Sequence, residues 1–168
     1  TDTTRINNYV QDGRVFLHET TAQYDVIFED AFGSAMSLPV HLVTKEFYEL
    51  VRSRLAPEGI LMVNYVGVLR GVGTPSVTGS TIQTIRSVFP NTKVYALNKD
   101  NPYDIQNIMI IARNGDTDID FAETTLTGRY LQEERIADME IAPYYFALED
   151  EIVFTDDQAP LEYLWLMQ

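Results

Sequence analysis

Residues 44–66, TKEFYELVRSRLAPEGILMVNYV, place a helix directly before a buried strand. Thr44 is a residue type that caps helix N-termini, and Phe47, Leu50, Val51 and Leu55 follow at helical spacing. Lys45, Glu46, Glu49, Arg52 and Arg54 fall mostly on other faces, so an amphipathic helix is predicted to about residue 55. Ala56-Pro57-Glu58-Gly59 ends it. Residues 60–66 then run with little polar alternation, as a strand covered on both faces does.

The same grammar extends both ways. Upstream, residues 24–29 (YDVIFE) form a second compact apolar strand ending at Asp30. Small residues over 31–37 and Pro39 make a loop. Residues 5–10 are a short, weakly apolar strand candidate, Gln11-Asp12-Gly13 a turn, and residues 15–20 a short helix. Downstream, residues 71–75 (GVGTP) form a flexible loop. Ile82, Ile85, Val88 and Phe89 predict a helix over 77–89, stopped by Pro90-Asn91. Strands are expected at 93–97 and 106–112, an acidic turn at 113–120 and a helix over 129–139; the remainder, 141–168, is mixed. Strand–helix–strand alternation predicts an α/β sheet with right-handed crossovers. The connection between the last two strands is too short for a parallel crossover, so they should pair antiparallel.

Composition narrows the chemistry. The 168 residues are 45% hydrophobic and 22% charged, the balance of one globular domain over 1–168. Twelve Lys and Arg against 25 Asp and Glu leave a net charge of −13, which argues against a nucleic-acid partner and suits a small cationic one. With no cysteine, disulfides, thiolate zinc sites and thiol catalysis are excluded, and the cytoplasm is the expected compartment. Two histidines leave little material for a metal site or a Ser-His-Asp triad, so no metal is expected. No apolar run reaches the 18 residues of a membrane helix. The polar start, Thr1-Asp2-Thr3-Thr4, is unlike a signal peptide and has no initiator Met, so a processed or excised piece is expected.

Ligands of open α/β sheets sit beyond the carboxyl ends of strands. Asp12 and Asp30 hold such positions, where a carboxylate can bind an amine or take its proton; the alternative is a turn at Asp12-Gly13 and a loop cap at Asp30. Asp116, Asp118 and Asp120 open like a calcium loop, but Phe121 and Thr127 stand at its sixth and twelfth positions, so a solvated turn is expected. Gly71 and Gly73 lack the third glycine of a dinucleotide fingerprint. His18 and His41 are isolated and read as surface or loop residues. Tyr144, Tyr145 and Phe146 are core or the lining of an amine pocket. Asp156, Asp157 and Glu162 are candidates to face a cationic substrate or to cap the end of the sheet.

Taken in order, DGRVFL (12–17), YDVIFEDAF (24–32) and TKEFYELVRSRLAPEGILMVN (44–64) resemble the spermidine synthase family, the polyamine aminopropyltransferases. The match in order and spacing covers residues 5–112. TDDQAPLE (155–162) is similar to the tail of spermidine synthase-like proteins, some fused to membrane transporter segments. The resemblance implies a Rossmann-like, class I methyltransferase-type sheet, mostly parallel with an antiparallel C-terminal hairpin and lacking its first strands. It implies decarboxylated S-adenosylmethionine or S-adenosylmethionine as cosubstrate, with no covalently bound cofactor. Asp12 would bind the adenine amino group, Gly13 would allow close approach, and Asp30 would deprotonate the attacking amine. The chain departs from the family at Asp30-Ala31-Phe32-Gly33, where active members have D-S-S-D, and in the following loop, Ser34 to Ser37, which lacks G-P-A. The Gly-rich loop and the ribose-binding acid of the fold belong upstream of this sequence.

Three functions follow as expectations. The first is aminopropyl transfer to an amine acceptor. The second is methyl transfer on the same fold, favoured by Gly33 in place of the second Asp. The third is a non-catalytic domain that binds a polyamine or a partner chain. A hydrophobic strand 24–29 left at a sheet edge also predicts a homo-oligomer or pairing with a complementary N-terminal half.

Overall fold

The computed structural model describes residues 6–31, 39–70, 75–121, 124–128, 131–142, 145–146, 148–161 and 164. Its main sheet has five strands: β1 (Tyr24–Glu29), β2 (Leu55–Gly67), β3 (Thr92–Ala96), β4 (Gln106–Arg113) and β7 (Glu140–Ile141). Their spatial order is β1-β2-β4-β3-β7. β1 and β2 are parallel, and β4 lies antiparallel between β2 and β3. Thus β1, β2 and β3 share one direction, and the short connection after β3 reverses the chain as its length requires.

Strand alternation divides the core into two layers. Leu61, Val63 and Tyr65 of β2, with Ile108, Ile110 and Ala112 of β4, face the helices α1 (Gly13–Glu19), α2 (Lys45–Arg54) and α3 (Val77–Val88). Tyr95, Ile111, Ile119 and Met139 form a smaller cluster of their own, joined by Ile60, Met62 and Met109. A two-stranded sheet of β5 (Thr125–Gly128) and β6 (Leu131–Arg135), followed by a 3-10 turn at Ile136–Met139, leads into β7.

Local chemistry sets the element ends. Thr44 Oγ1 accepts the N–H of Phe47 at 3.3 Å and starts α2 as expected. Ser76 Oγ accepts the N–H of Gly79 at 3.0 Å and starts α3. The Ala56–Gly59 stretch does end α2, but it is a bulge within β2. Tyr24 pairs with Leu55 and Val26 already pairs with Ile60. Glu58 sits there at φ 63°, and a Cβ on Gly59 would come within 2.9 Å of the Ala56 carbonyl oxygen.

Two expected elements are absent. Residues 6–10 are exposed coil rather than a strand, with Val10 fully exposed. Among the described residues β1 pairs with β2 alone, so these weakly apolar residues have no ladder to join. The helix expected over 129–139 is replaced by β6 and the 3-10 turn. Thr125, Leu126 and Thr127 favour an extended chain, and Gly128 ends β5 before a short return.

Candidate active site

The first half of the site grows from the start of α1. Asp12 caps that helix, its Oδ1 accepting the backbone N–H groups of Arg14 at 3.0 Å and Val15 at 3.1 Å. Its Oδ2 lies 2.8 Å from His41 Nε2, brought in by a 3-10 turn at Val40–Leu42. His41 first, then the Val15 N–H, holds the Asp12 carboxyl below its ordinary value. His41 is thus a surface residue, as expected, but it is not isolated: it orients the carboxylate singled out in the sequence.

The second half is the carboxyl end of β1. Asp30 is exposed there and accepts a hydrogen bond from Asn64 Nδ2 at 2.8 Å. Asn64 belongs to β2, and a lone polar residue inside ILMVNYV is the signal that marks it. One residue earlier, Glu29 is buried against α2, and neither of its carboxylate oxygens has a hydrogen-bond partner. Burial raises its pKa to about 8. Consecutive strand residues point to opposite faces, which is why Asp30 meets water and Glu29 does not.

These two halves meet. A cavity of about 450 Å³ is lined by Gly13, Phe16 and Leu17 of α1, by Phe47 of α2, and by β1 through Glu29 to Asp30 and Ala31. The structure therefore brings Gly13 and Asp30, 17 positions apart in the chain, to one pocket, while Asp12 is not among its lining residues. A second apolar cavity of about 480 Å³ lies on the opposite face of the sheet, between Phe28, Met62, Met109, Phe121 and Met139.

The tail acids have separate situations. Asp156 accepts both guanidinium nitrogens of Arg14, at 2.8 and 2.6 Å, and the Thr44 hydroxyl at 2.7 Å. Arg14 first, then Thr44, lowers its pKa to about 2. Its backbone N–H also donates to Glu46 at 3.0 Å. Asp156 thus ties the tail to the starts of α1 and α2. Asp157 beside it is exposed, and Glu162 lies outside the described residues, as do Gly33, the loop 34–37, the Gly71 to Gly73 loop and Tyr144. Phe146 is buried in the core, and the face of Tyr145 carries Arg70, whose guanidinium carbon is 5.0 Å from the ring centroid. Asp116, Asp118 and Asp120 are exposed as expected. Among the described residues no group of three or more His, Asp and Glu converges as metal ligands. No helix of the described residues is long and apolar enough to cross a membrane.

No family model matches the sequence. The chain is 27% identical over 168 aligned positions to a probable polyamine aminopropyl transferase of Bifidobacterium longum, covering 91% of this chain and 36% of that protein. It is 33% identical over 123 positions to a polyamine aminopropyltransferase of Oceanobacillus iheyensis, covering 73% of this chain and 23% of the relative. Among solved structures, a probable spermidine synthase of Corynebacterium glutamicum superposes with a TM-score of 0.65 at 22% identity. That match covers 91% of this chain and 55% of the other. The chain thus spans between about a quarter and just over half the length of these proteins. In sequence and in fold, it resembles the C-terminal part of the polyamine aminopropyltransferase, or spermidine synthase, family.

Proposed function

We propose that this chain is the C-terminal part of a spermidine synthase-like transferase, moving an aminopropyl group from decarboxylated S-adenosylmethionine to an amine acceptor. The observation that carries this reading is the shared cavity in which Gly13, beside Asp12, and Asp30 meet. Beside it Asp12, held by His41 and the start of α1, accepts a hydrogen bond from the adenine amino group, and Gly13 allows the base to approach. Asp30, held by Asn64, takes the proton of the acceptor amine, because a protonated amine is not a nucleophile. The amine nitrogen then bonds to the carbon next to the sulfonium, the carbon–sulfur bond breaks, and a neutral thioether leaves. Positioning and electrostatics supply the effect. Asp156, Asp157 and Glu162 contribute negative potential for a cationic substrate, Asp156 while also bound to Arg14. The protein works in the cytoplasm, with the outer edge of β1 paired to an N-terminal half or a second copy.

Calorimetric titration of the 168-residue chain with methylthioadenosine tests the nucleoside part. Saturable binding that weakens at least tenfold in Asp12→Ala is expected, with decarboxylated S-adenosylmethionine preferred over S-adenosylmethionine. No binding to a folded sample overturns the reading for this chain. Preference for S-adenosylmethionine instead supports methyl transfer, the second reading, which Gly33 in place of the family's second Asp favours.

A further inference from the structure

Asn114-Gly115 is the one Asn-Gly pair of the sequence, and it follows directly on β4. The Asn114 side chain is a clamp. Its Nδ2 donates to the carbonyls of Ala56 at 3.1 Å, Leu55 at 3.2 Å and Arg52 at 3.5 Å, and its Oδ1 accepts from Arg52 Nε at 3.3 Å. Its backbone N–H donates to the Gly59 carbonyl at 2.8 Å, and its carbonyl accepts the Glu58 N–H at 2.9 Å. One residue thus holds together the end of α2, the β2 bulge and the end of β4. Gly115 is equally constrained, since a Cβ there would run into the carboxylate of Glu58, the residue held at φ 63°. The fold therefore demands an amide at 114 and no side chain at 115. That combination is chemically hazardous, because the backbone nitrogen of glycine is the least hindered nucleophile that can follow an asparagine. Asn114 and Gly115 are half-buried and Arg52 is exposed, so solvent reaches the clamp.

We propose that Asn114-Gly115 is a spontaneous deamidation site gated by this clamp, protected while the α2–β2 junction is closed and reactive once it opens. The Gly115 nitrogen, having lost its proton to solvent base, bonds to Asn114 Cγ. The Cγ–Nδ2 bond breaks, Nδ2 takes up a proton and leaves as ammonia, and a succinimide ring remains. Water then opens the ring at either carbonyl, leaving an aspartyl or an isoaspartyl residue. In the closed junction the amide cannot turn or depart without giving up its bonds to Leu55, Ala56 and Arg52; local opening removes that restraint. The aspartyl product sets a carboxylate against the Leu55 and Ala56 carbonyls, acceptor against acceptor, so the junction does not reclose as before. Deamidation is thereby a one-way mark of chains that have opened, and it is independent of the transferase reading.

The test incubates the full chain at pH 8 and 37 °C, folded in buffer or unfolded in guanidinium chloride. Peptide mass spectrometry follows the acid and its isoaspartyl isomer at position 114, and circular dichroism establishes which samples are folded. The unfolded chain should convert Asn114 roughly tenfold or more faster than the folded one. Asn91, Asn98 and Asn107, which no glycine follows, should keep their amides over the same time. A folded Arg52→Ala, which frees Oδ1, should convert several-fold faster than folded wild type. Asn114→Asp should lower the guanidinium midpoint or fail to fold. Equal rates in the folded and unfolded chain, no conversion in the unfolded chain, a folded Arg52→Ala at the wild-type rate, or Asn114→Asp with the wild-type midpoint overturns the proposal. Should Arg52→Ala unfold, the two wild-type rates and Asn114→Asp decide.

Discussion

Glu29 also shapes how the fold responds to pH. Its pKa rises from an ordinary 4.5 to about 8 because burial disfavours the charged form. Between those values the folded chain holds a proton that the unfolded chain releases, so stability falls as pH rises through that window, and the loss is complete above about pH 8. Urea denaturation from pH 5 to pH 9 should show a falling midpoint in wild type and a flatter profile in Glu29→Gln. At pH 9 the variant should be the more stable by roughly 1–3 kcal/mol. A wild-type midpoint unchanged across this range, or an equal fall in both proteins, would contradict a buried, neutral carboxyl. At this scale the sequence was only partly legible. Asp12 and Asp30 stand out because an acid after an apolar run is conspicuous. Glu29 hides inside the run that predicts β1, since pattern gives a residue's place in a strand but not which neighbours shield it. His41 and Arg14 acquire their roles from residues 29 and 142 positions away.

At the scale of elements, the helices read well because each carries its own local signals: Thr44 before α2, and the Ile82, Ile85, Val88 stripe of α3. The β5–β6 pair did not, since its strands are short and a two-stranded pair carries little local pattern. The start of α3 illustrates a second kind of hidden information. Glu151, from the tail, accepts the Ser76 N–H at 2.6 Å, the Ser76 hydroxyl at 2.9 Å and the Ser80 hydroxyl at 3.0 Å. A Cβ on Gly79 would run into that carboxylate, which explains glycine inside the helix. Glu151→Ala should cost about 1–3 kcal/mol and lower Tm by several degrees, with Glu151→Gln recovering part of the loss. An unchanged melting curve for Glu151→Ala would show that Ser76 caps α3 unaided.

For the whole molecule, the consequential surface is the outer edge of β1. Val26 and Phe28 are 51% and 55% exposed there, on the sheet face away from the helices, and no described residue pairs with that edge. An open apolar strand edge favours association. Light scattering on the 168-residue chain should report a mass above the monomer, and Val26→Lys with Phe28→Lys should shift it toward the monomer. A monodisperse wild-type monomer would argue against pairing through β1. The overall architecture was legible because strand–helix alternation and one short connection leave few topologies open. The five-strand order required β4 to insert between β2 and β3, a long-range choice that no local pattern announces.

The tail ties carry an implication for biosynthesis. Glu151 and Asp156 fasten the beginnings of α1, α2 and α3, yet a ribosome reaches them only after those helices have been made. The helical layer of a nascent chain therefore stays loosely closed until residues 151–156 have been made. During that interval β1 and the apolar faces of α1 and α2 are available to chaperones, and the layer closes only when Glu151 and Asp156 are fastened to it.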